Sequence, residues 1–400
     1  MPNIGVIGGG TMGAGIAQLA SANGCVVQLL EIDASTAQKA IEGIGKRFDR
    51  LVEKRRMTKA EAAEAKERLH IASGPGDLAD CDFVIEAVVE DLGAKVEVLS
   101  AICGVARGDT IFASNTSSLS ITKLGEALGI ADRVCGMHFF NPAPVMPLVE
   151  IIAGQGTAAA TVDRAAELAE SWGKPVVRVK DTPGFIVNRV ARPFYLESLR
   201  IIEERLASCD AVDLLMKEVA GFKMGPFELM DLVGIDINYA VTCSVFEQSG
   251  QPARFKPSET QARLVDQGKL GRKTGVGFYS YEHDKPEIAY RLDAERVVLS
   301  ARLGEAVLSV TQAAGWEIDP ESGYVPARIL CALMNEAALA EEQGVATEED
   351  IDVAMKLGTN YPKGPLAWAR AIGHEHVGLF LRAMNEAVDD DRFSPAERFG

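Results

Sequence analysis

Fourteen residues near the start, "IGVIGGGTMGAGIA" from Ile4 to Ala17, restrict the fold more than any other stretch of the chain. A short apolar run ends in Gly8, Gly10 and Gly13, and a helical pattern follows at once. In that spacing the first glycine permits a tight turn, the second lets the backbone approach a pyrophosphate, and the third allows close helix packing. With Thr11 and Met12 between the glycines, the loop is a candidate dinucleotide site, because a helix N-terminus favours negative charge. The next apolar run, "VVQLLEI", ends in Glu31, with Asp33 just beyond. One of the two would grip the ribose hydroxyls. Glu31 is the better placed, and a carboxylate there repels a 2′-phosphate and so favours NAD over NADP.

Such a loop belongs to a parallel sheet, and the pattern through about residue 180 agrees. "DFVIEAV", "TIFAS" and "RVCGMHFF" are also short and nearly continuous in apolar character, as strands covered on both faces should be, and helical stretches separate them. The expectation is an α/β, Rossmann-like doubly wound domain over residues 1–182. One crossover is too long for a single helix. Ala37, Ile41, Ile44, Phe48 and Leu51 follow three/four spacing, and Thr58 with Glu61 forms a capping box that opens a second helix. This inserted helical hairpin carries Arg47, Arg50, Lys54, Arg55 and Arg56, a basic cluster on a chain whose net charge is -16. It is either a solvated face or a phosphate site. The overall charge argues against nucleic-acid or membrane-surface partners.

From Asp181 onward helical periodicity takes over, and the chain repeats itself. The stretch from Gly184 aligns without gaps on the stretch from Gly323, pairing Arg189 with Arg328, Glu197 with Glu336, Asp213 with Asp352, Gly225-Pro226 with Gly364-Pro365 and Gly234 with Gly373. Two tandem all-α domains are expected, residues 183–284 and, after a charged linker, residues 285–400. The 7 cysteines form no CxxC pair, so buried thiols in a reducing compartment are expected and no metal site. The strand pattern begins by Asn3, and no apolar run approaches the roughly 18 residues of a membrane span. A cytoplasmic protein is the expectation.

"GMHFFNPAPVMPLVEII", residues 136–152, sets one histidine and one glutamate in apolar surroundings. A strand–turn–strand layout would bring His138 and Glu150 together, the carboxylate fixing the imidazole tautomer, so that the ring could take a hydroxyl proton while hydride leaves the adjacent carbon. Polar residues also cluster where strands should end: Glu86 to Asp91, Ser114 to Ser118, His138 to Asn141, and Pro183 to Arg189, the first three expected to line the cofactor site. In a doubly wound sheet those ends face the ligand crevice.

Taken in order, "IGGGTMGAGIA", "EAVVED", "ASNTSSL", "GMHFFNPAPVMPLVEII", "DTPGFIVNR", "GPFELMDLVG" and "GRKTGVGFY" resemble the L-3-hydroxyacyl-CoA dehydrogenases over residues 3–281, and the repeated helical domain extends the likeness to the end. "NPAPVMPLVEII" and the second copy with "NYPKGPLAW" look more like the phenylacetate-degradation branch, which handles 3-hydroxyadipyl-CoA, than the minimal single-copy enzymes. The resemblance implies NAD-dependent oxidation of L-3-hydroxyacyl-CoA to 3-oxoacyl-CoA. It implies His138 as base with Glu150 as its partner, and Ser117 and Asn188 on the reacting 3-oxygen and thioester. Asn141 would hold cofactor or substrate, Glu31, Glu90, Lys95 and Lys273 would contact NAD, and Lys54 would meet the CoA phosphates. Arg47 stands where family members can carry a CoA-contacting serine, and its charge suits the same phosphates. Copy 2 has Ala327 for Asn188 and Ala367 for Glu228. In single-copy relatives the helical domain pairs with that of another subunit, so copy 2 is expected to supply this pairing within one chain, as a monomer or a homodimer. Two other readings are a dehydrogenase of a non-CoA hydroxy acid, which would not need the basic hairpin, and a non-catalytic NAD-binding relative.

Overall fold

The computed structural model describes residues 2–283, 285–291, 294–295 and 297–400. The expected linker boundary at 284 falls outside the described residues. Two compact units are present, Met1–Phe185 and Ile186–Gly400.

The first unit is built on eight strands: β1 (Asn3–Ile7), β2 (Val26–Leu30), β3 (Leu69–Ile71), β4 (Phe83–Glu86), β5 (Ile111–Ser114), β6 (Val134–Phe139), β7 (Val149–Ala153) and β8 (Val176–Lys180). Their order in the sheet is β3-β2-β1-β4-β5-β6-β7-β8. Neighbours are parallel except β6 and β7, whose antiparallel register sets His138 directly opposite Glu150. The central strands β4, β5 and β6 are buried along their whole length, which is why they read as unbroken apolar runs. The edge strand β8 alternates, with Arg178 and Lys180 exposed, and this half-polar pattern is why it escapes a search for continuous apolar strands.

Six helices complete the unit: α1 (Thr11–Ala22), α2 (Ala34–Glu53), α3 (Lys59–Glu67), α4 (Leu92–Cys103), α5 (Ile121–Leu128) and α6 (Ala159–Ser171). The expected hairpin is α2 with α3. Ala37, Ile44 and Phe48 bury the inner face of α2, and Thr58 and Glu61 form the capping box at the start of α3.

The second unit is helical and duplicated. Copy 1 runs α7 (Val187–Val190), α8 (Arg192–Glu203), α9 (Cys209–Glu218), α10 (Pro226–Val233), α11 (Ile235–Gln248) and α12 (Glu259–Asp266). Copy 2 runs α13 (Ala301–Ala313), α14 (Pro320–Glu342), α15 (Glu348–Thr359), α16 (Pro365–Ile372) and α17 (His374–Ala387). The repeat is visible in atomic detail. Asp213 accepts hydrogen bonds from the amides of Phe227 and Glu228 at 2.9 and 3.0 Å, and Asp352 does the same for Leu366 and Ala367 at 2.8 and 2.9 Å. Gly234 and Gly373 both turn the chain at φ near +100°, a conformation only glycine adopts at low cost.

The two copies grip each other reciprocally. Arg189 of copy 1 pairs with Glu336 of copy 2 at 2.6 Å, and the equivalent Arg328 of copy 2 pairs with Glu197 of copy 1 at 2.8 Å, all four side chains buried. Phe222 and Tyr361, also equivalent, meet with ring centroids 4.9 Å apart. Residue i touching j while j touches i is the signature of a two-fold interface, here closed within one chain.

Candidate active site

The glycine loop divides its work as the spacing predicts. Gly8 has φ +92°, and a Cβ there would meet the Ala87 carbonyl oxygen at 2.7 Å; a Cβ on Gly13 would run into the Gly8 carbonyl oxygen at 1.8 Å. These two glycines serve the turn and the close packing. Gly10 differs, since a Cβ there would meet nothing within 4 Å, so the backbone at that point faces open space. No side chain caps α1 and no acidic residue occupies its first turn, which leaves its leading amides for an anion. Glu31, just past β2, accepts a hydrogen bond from the Gly9 amide and one from the Ile32 amide at 2.9 Å. Asp33, the other acidic candidate, caps α2 through the Thr36 amide at 2.9 Å, and that bond pulls its carboxyl down to about 2. The loop therefore fits a dinucleotide pyrophosphate.

Two strands along, a buried ion network organises the serine-rich turn. Lys95, 1 % exposed on α4, lies 2.5 Å from Glu86 and 3.3 Å from Glu90. Glu86, at the end of β4, also accepts from the Ser114 hydroxyl at 2.6 Å. Glu90 in turn accepts from the Thr116 hydroxyl at 2.6 Å and from the amides and hydroxyls of Ser117 and Ser118 at 2.9 to 3.3 Å. Burial pushes the Glu90 carboxyl up, but the Thr116 hydroxyl and Lys95 hold it below its ordinary range. The Lys95 ammonium is thus engaged by two carboxylates. Asn115 accepts from the Phe139 amide at 2.9 Å, tying the end of β5 to β6, while Ser120 caps α5.

His138 and Glu150 meet as the register requires, Nδ1 to Oε2 at 2.7 Å, with the histidine 6 % and the glutamate 0 % exposed. The imidazole packs beside Phe140 and Phe185, at centroid distances of 4.6 and 5.9 Å. A ring that donates Nδ1–H to an ionised carboxylate keeps the lone pair on Nε2. The exposed Asn141 begins the turn between the two strands, joined to Pro142 by a cis peptide bond. Lys174, buried behind the turn, donates to the carbonyls of Ala143 and Met146 at 2.9 and 2.8 Å and so fixes its shape; sequence reading missed it because its partners are backbone atoms.

The basic hairpin bounds a cavity of about 580 Å³ lined by Thr11, Arg50, Lys54, Arg56, Pro144 and Val145 among others. Arg47 also borders this cavity, but its guanidinium donates to Gln18 Oε1 at 2.5 Å and to the Ala14 carbonyl at 3.3 Å, fastening α2 to α1. Arg50 and Arg56, members of the cluster without an assigned role, face the same space. Of the remaining candidates, Asn188 and Lys273 belong to the second unit. Asn188 lies within α7, and Lys273 is paired with Asp236 at 2.5 Å. Among the described residues no group of three or more His, Cys, Asp or Glu side chains could hold a metal ion, and no single helix is long and apolar enough to cross a membrane.

The family model for the 3-hydroxyacyl-CoA dehydrogenase NAD binding domain matches residues 3–182, and the model for the C-terminal domain of the same family matches twice over, at 184–281 and 323–399. The chain belongs to the 3-hydroxyacyl-CoA dehydrogenase family. Like its relatives, this dehydrogenase is an NAD-dependent oxidoreductase. It is 37% identical over 98% of its length to 3-hydroxyadipyl-CoA dehydrogenase of Escherichia coli strain K12, covering 95% of that protein. It is 42% identical to the mitochondrial hydroxyacyl-coenzyme A dehydrogenase of Rattus norvegicus, over 69% of this chain and 90% of the rat protein. Among solved structures, 3-hydroxybutyryl-CoA dehydrogenase from Escherichia coli K12 superposes with a TM-score of 0.89 at 36% identity, covering 100% of this chain and 97% of that one.

Proposed function

We propose that this dehydrogenase oxidises the 3-hydroxyl of an L-3-hydroxyacyl-CoA to the 3-oxo group, and runs the reverse reaction, with His138 as general base. The buried 2.7 Å contact between His138 Nδ1 and Glu150 Oε2 carries the reading. It leaves Nε2 to take the hydroxyl proton, and Glu150 then stabilises the imidazolium that forms. NAD, when bound, accepts the hydride from C3. Gly8, Gly10, Thr11, Met12 and Gly13 would hold its pyrophosphate and Glu31 its ribose, with Glu90, Lys95, Asn141 and Lys273 as further contacts. Ser117 and Asn188 would bind the 3-oxygen and thioester region, and Lys54 and Arg47 the CoA end. His138→Gln should lower turnover by at least about 10² while leaving NADH affinity nearly unchanged. Stopped-flow and fluorescence titration check this, and unchanged turnover rejects the mechanism.

Similarity to a 3-hydroxyadipyl-CoA dehydrogenase over almost the whole chain supports a role in the β-oxidation-type breakdown of aromatic-derived acids, in the cytoplasm. An NADH assay across acetoacetyl-, longer 3-oxoacyl- and 3-oxoadipyl-CoA tests it, the last being the preferred substrate. The reciprocal ion pairs between the copies support self-contained pairing of the helical domains. Size exclusion with light scattering should then give the mass of one chain, 42.8 kDa; a concentration-dependent dimer would reject it.

A further inference from the structure

Between α7 and α8 the helix of copy 1 breaks at Ala191. Pro193 has no amide to offer the Arg189 carbonyl four residues back, so the helix does not run through. At the break the Arg192 guanidinium turns inward. Its Nε donates to the Asn188 carbonyl at 2.7 Å, and its Nη1 donates to the Asn238 carbonyl at 3.3 Å and to Thr242 Oγ1 at 3.0 Å. The Thr242 hydroxyl donates onward to the Asn238 carbonyl at 2.9 Å, and the Gln261 amide donates to Asn238 Oδ1 at 2.9 Å. The cation is 3 % exposed and lies over the Tyr195 ring, 5.0 Å from its centroid, with no carboxylate paired to it among the described residues. The other buried arginines here behave differently, since Arg189 and Arg328 each face a glutamate.

The duplication supplies an internal control. In copy 2 the positions equivalent to Asn188, Arg192, Asn238 and Thr242 are Ala327, Cys331, Val377 and Leu381, all buried and none charged. The same helical domain is therefore built at this point from apolar side chains alone, and a buried guanidinium without a counter-ion is costly where nothing requires it. What the charged version adds lies at the Asn188 backbone, in the copy that directly follows the dinucleotide-binding unit.

We propose that Arg192 is a positioning residue for the reaction. It fixes the carbonyl of Asn188 against α11 and thereby sets where Asn188 stands. This rests on the reading of Asn188 as a substrate contact. The test transplants the copy 2 residues into copy 1, as Arg192→Cys with Asn238→Val and Thr242→Leu, alongside Asn188→Ala alone. If the inference holds, the triple variant melts cooperatively, its kcat falls about tenfold or more, and its NADH Kd stays within about twofold. Acetoacetyl-CoA and 3-oxoadipyl-CoA should suffer equally, and adding Asn188→Ala should cost little more, because both changes act on one element. An effect of Asn188→Ala without one of the triple variant overturns the inference and leaves the reading of Asn188 intact; no effect of Asn188→Ala overturns that reading itself. A loss confined to 3-oxoadipyl-CoA overturns positioning in favour of a direct contact. Should the triple variant fail to melt cooperatively, Arg192→Lys carries the test, since it keeps the charge without the forked contacts. A kcat equal to the parent's then overturns the inference.

Discussion

Gly10 separates two reasons a residue can be fixed. Gly8 and Gly13 have no room for a side chain because the protein itself fills it, whereas Gly10 has room and nothing in it. Gly10→Ala should therefore leave Tm within about 2 °C of the parent while weakening NADH binding by at least about tenfold, ~1.4 kcal/mol. Differential scanning calorimetry and fluorescence titration measure the two. An equal loss in both would make Gly10 structural. His138 and Glu150 were legible as a pair because an antiparallel turn between two apolar runs leaves few registers that bury both faces. The partners of Lys95 and Arg47 were not, because a cation's partners depend on which way a helix face is turned. Lys95 is gripped by Glu86, which only the placement of the Lys95 side chain at the end of β4 reveals.

At the scale of elements, the inserted hairpin of α2 and α3 has a buried apolar face and an outer end rich in cations. Its capping box and periodicity were readable from sequence, as was its charge. What was not readable is the difference within the cluster, Arg47 fastening the hairpin to α1 from the same cavity wall that Arg50, Lys54 and Arg56 line. A prediction follows for this division. Arg50→Ala and Lys54→Ala should each raise KM for acyl-CoA, together by about tenfold, with kcat retained, and KM should climb with salt in the parent but less in the double variant. A thioester of pantetheine, which lacks the nucleotide phosphates, should be indifferent to both changes. A KM for acyl-CoA that does not move would return the cluster to an ordinary solvated face.

For the whole molecule, the telling group is Glu197. Burial pushes its carboxyl up, but Arg200, Arg328 and Arg392 outweigh this and hold it at about 2. A carboxyl depressed on folding contributes stability above the ordinary carboxylate range and loses it as pH falls toward the folded value. Melting between about pH 5 and pH 2.5 should therefore drop steeply in the parent, while Glu197→Gln, less stable at pH 7 because it leaves buried arginines short of a partner, should show a flatter fall. Parallel acid-melting curves would exclude the network as the acid-labile element. The duplication itself was readable because identical residues kept one register along the whole stretch, but its consequence was not: nothing along the chain says that Arg189 reaches Glu336 rather than its own copy's Glu197.

Joining the two halves of a symmetric pair in one polypeptide changes what can evolve. In a homodimer every substitution is made twice, so a change that helps one face is imposed on the other. Here Arg192 can exist opposite Cys331, and Asn188 opposite Ala327, because a single gene encodes the two faces separately. Tethering also makes the association intramolecular, so that dilution no longer separates the halves, and one of them is left free to become pure scaffold.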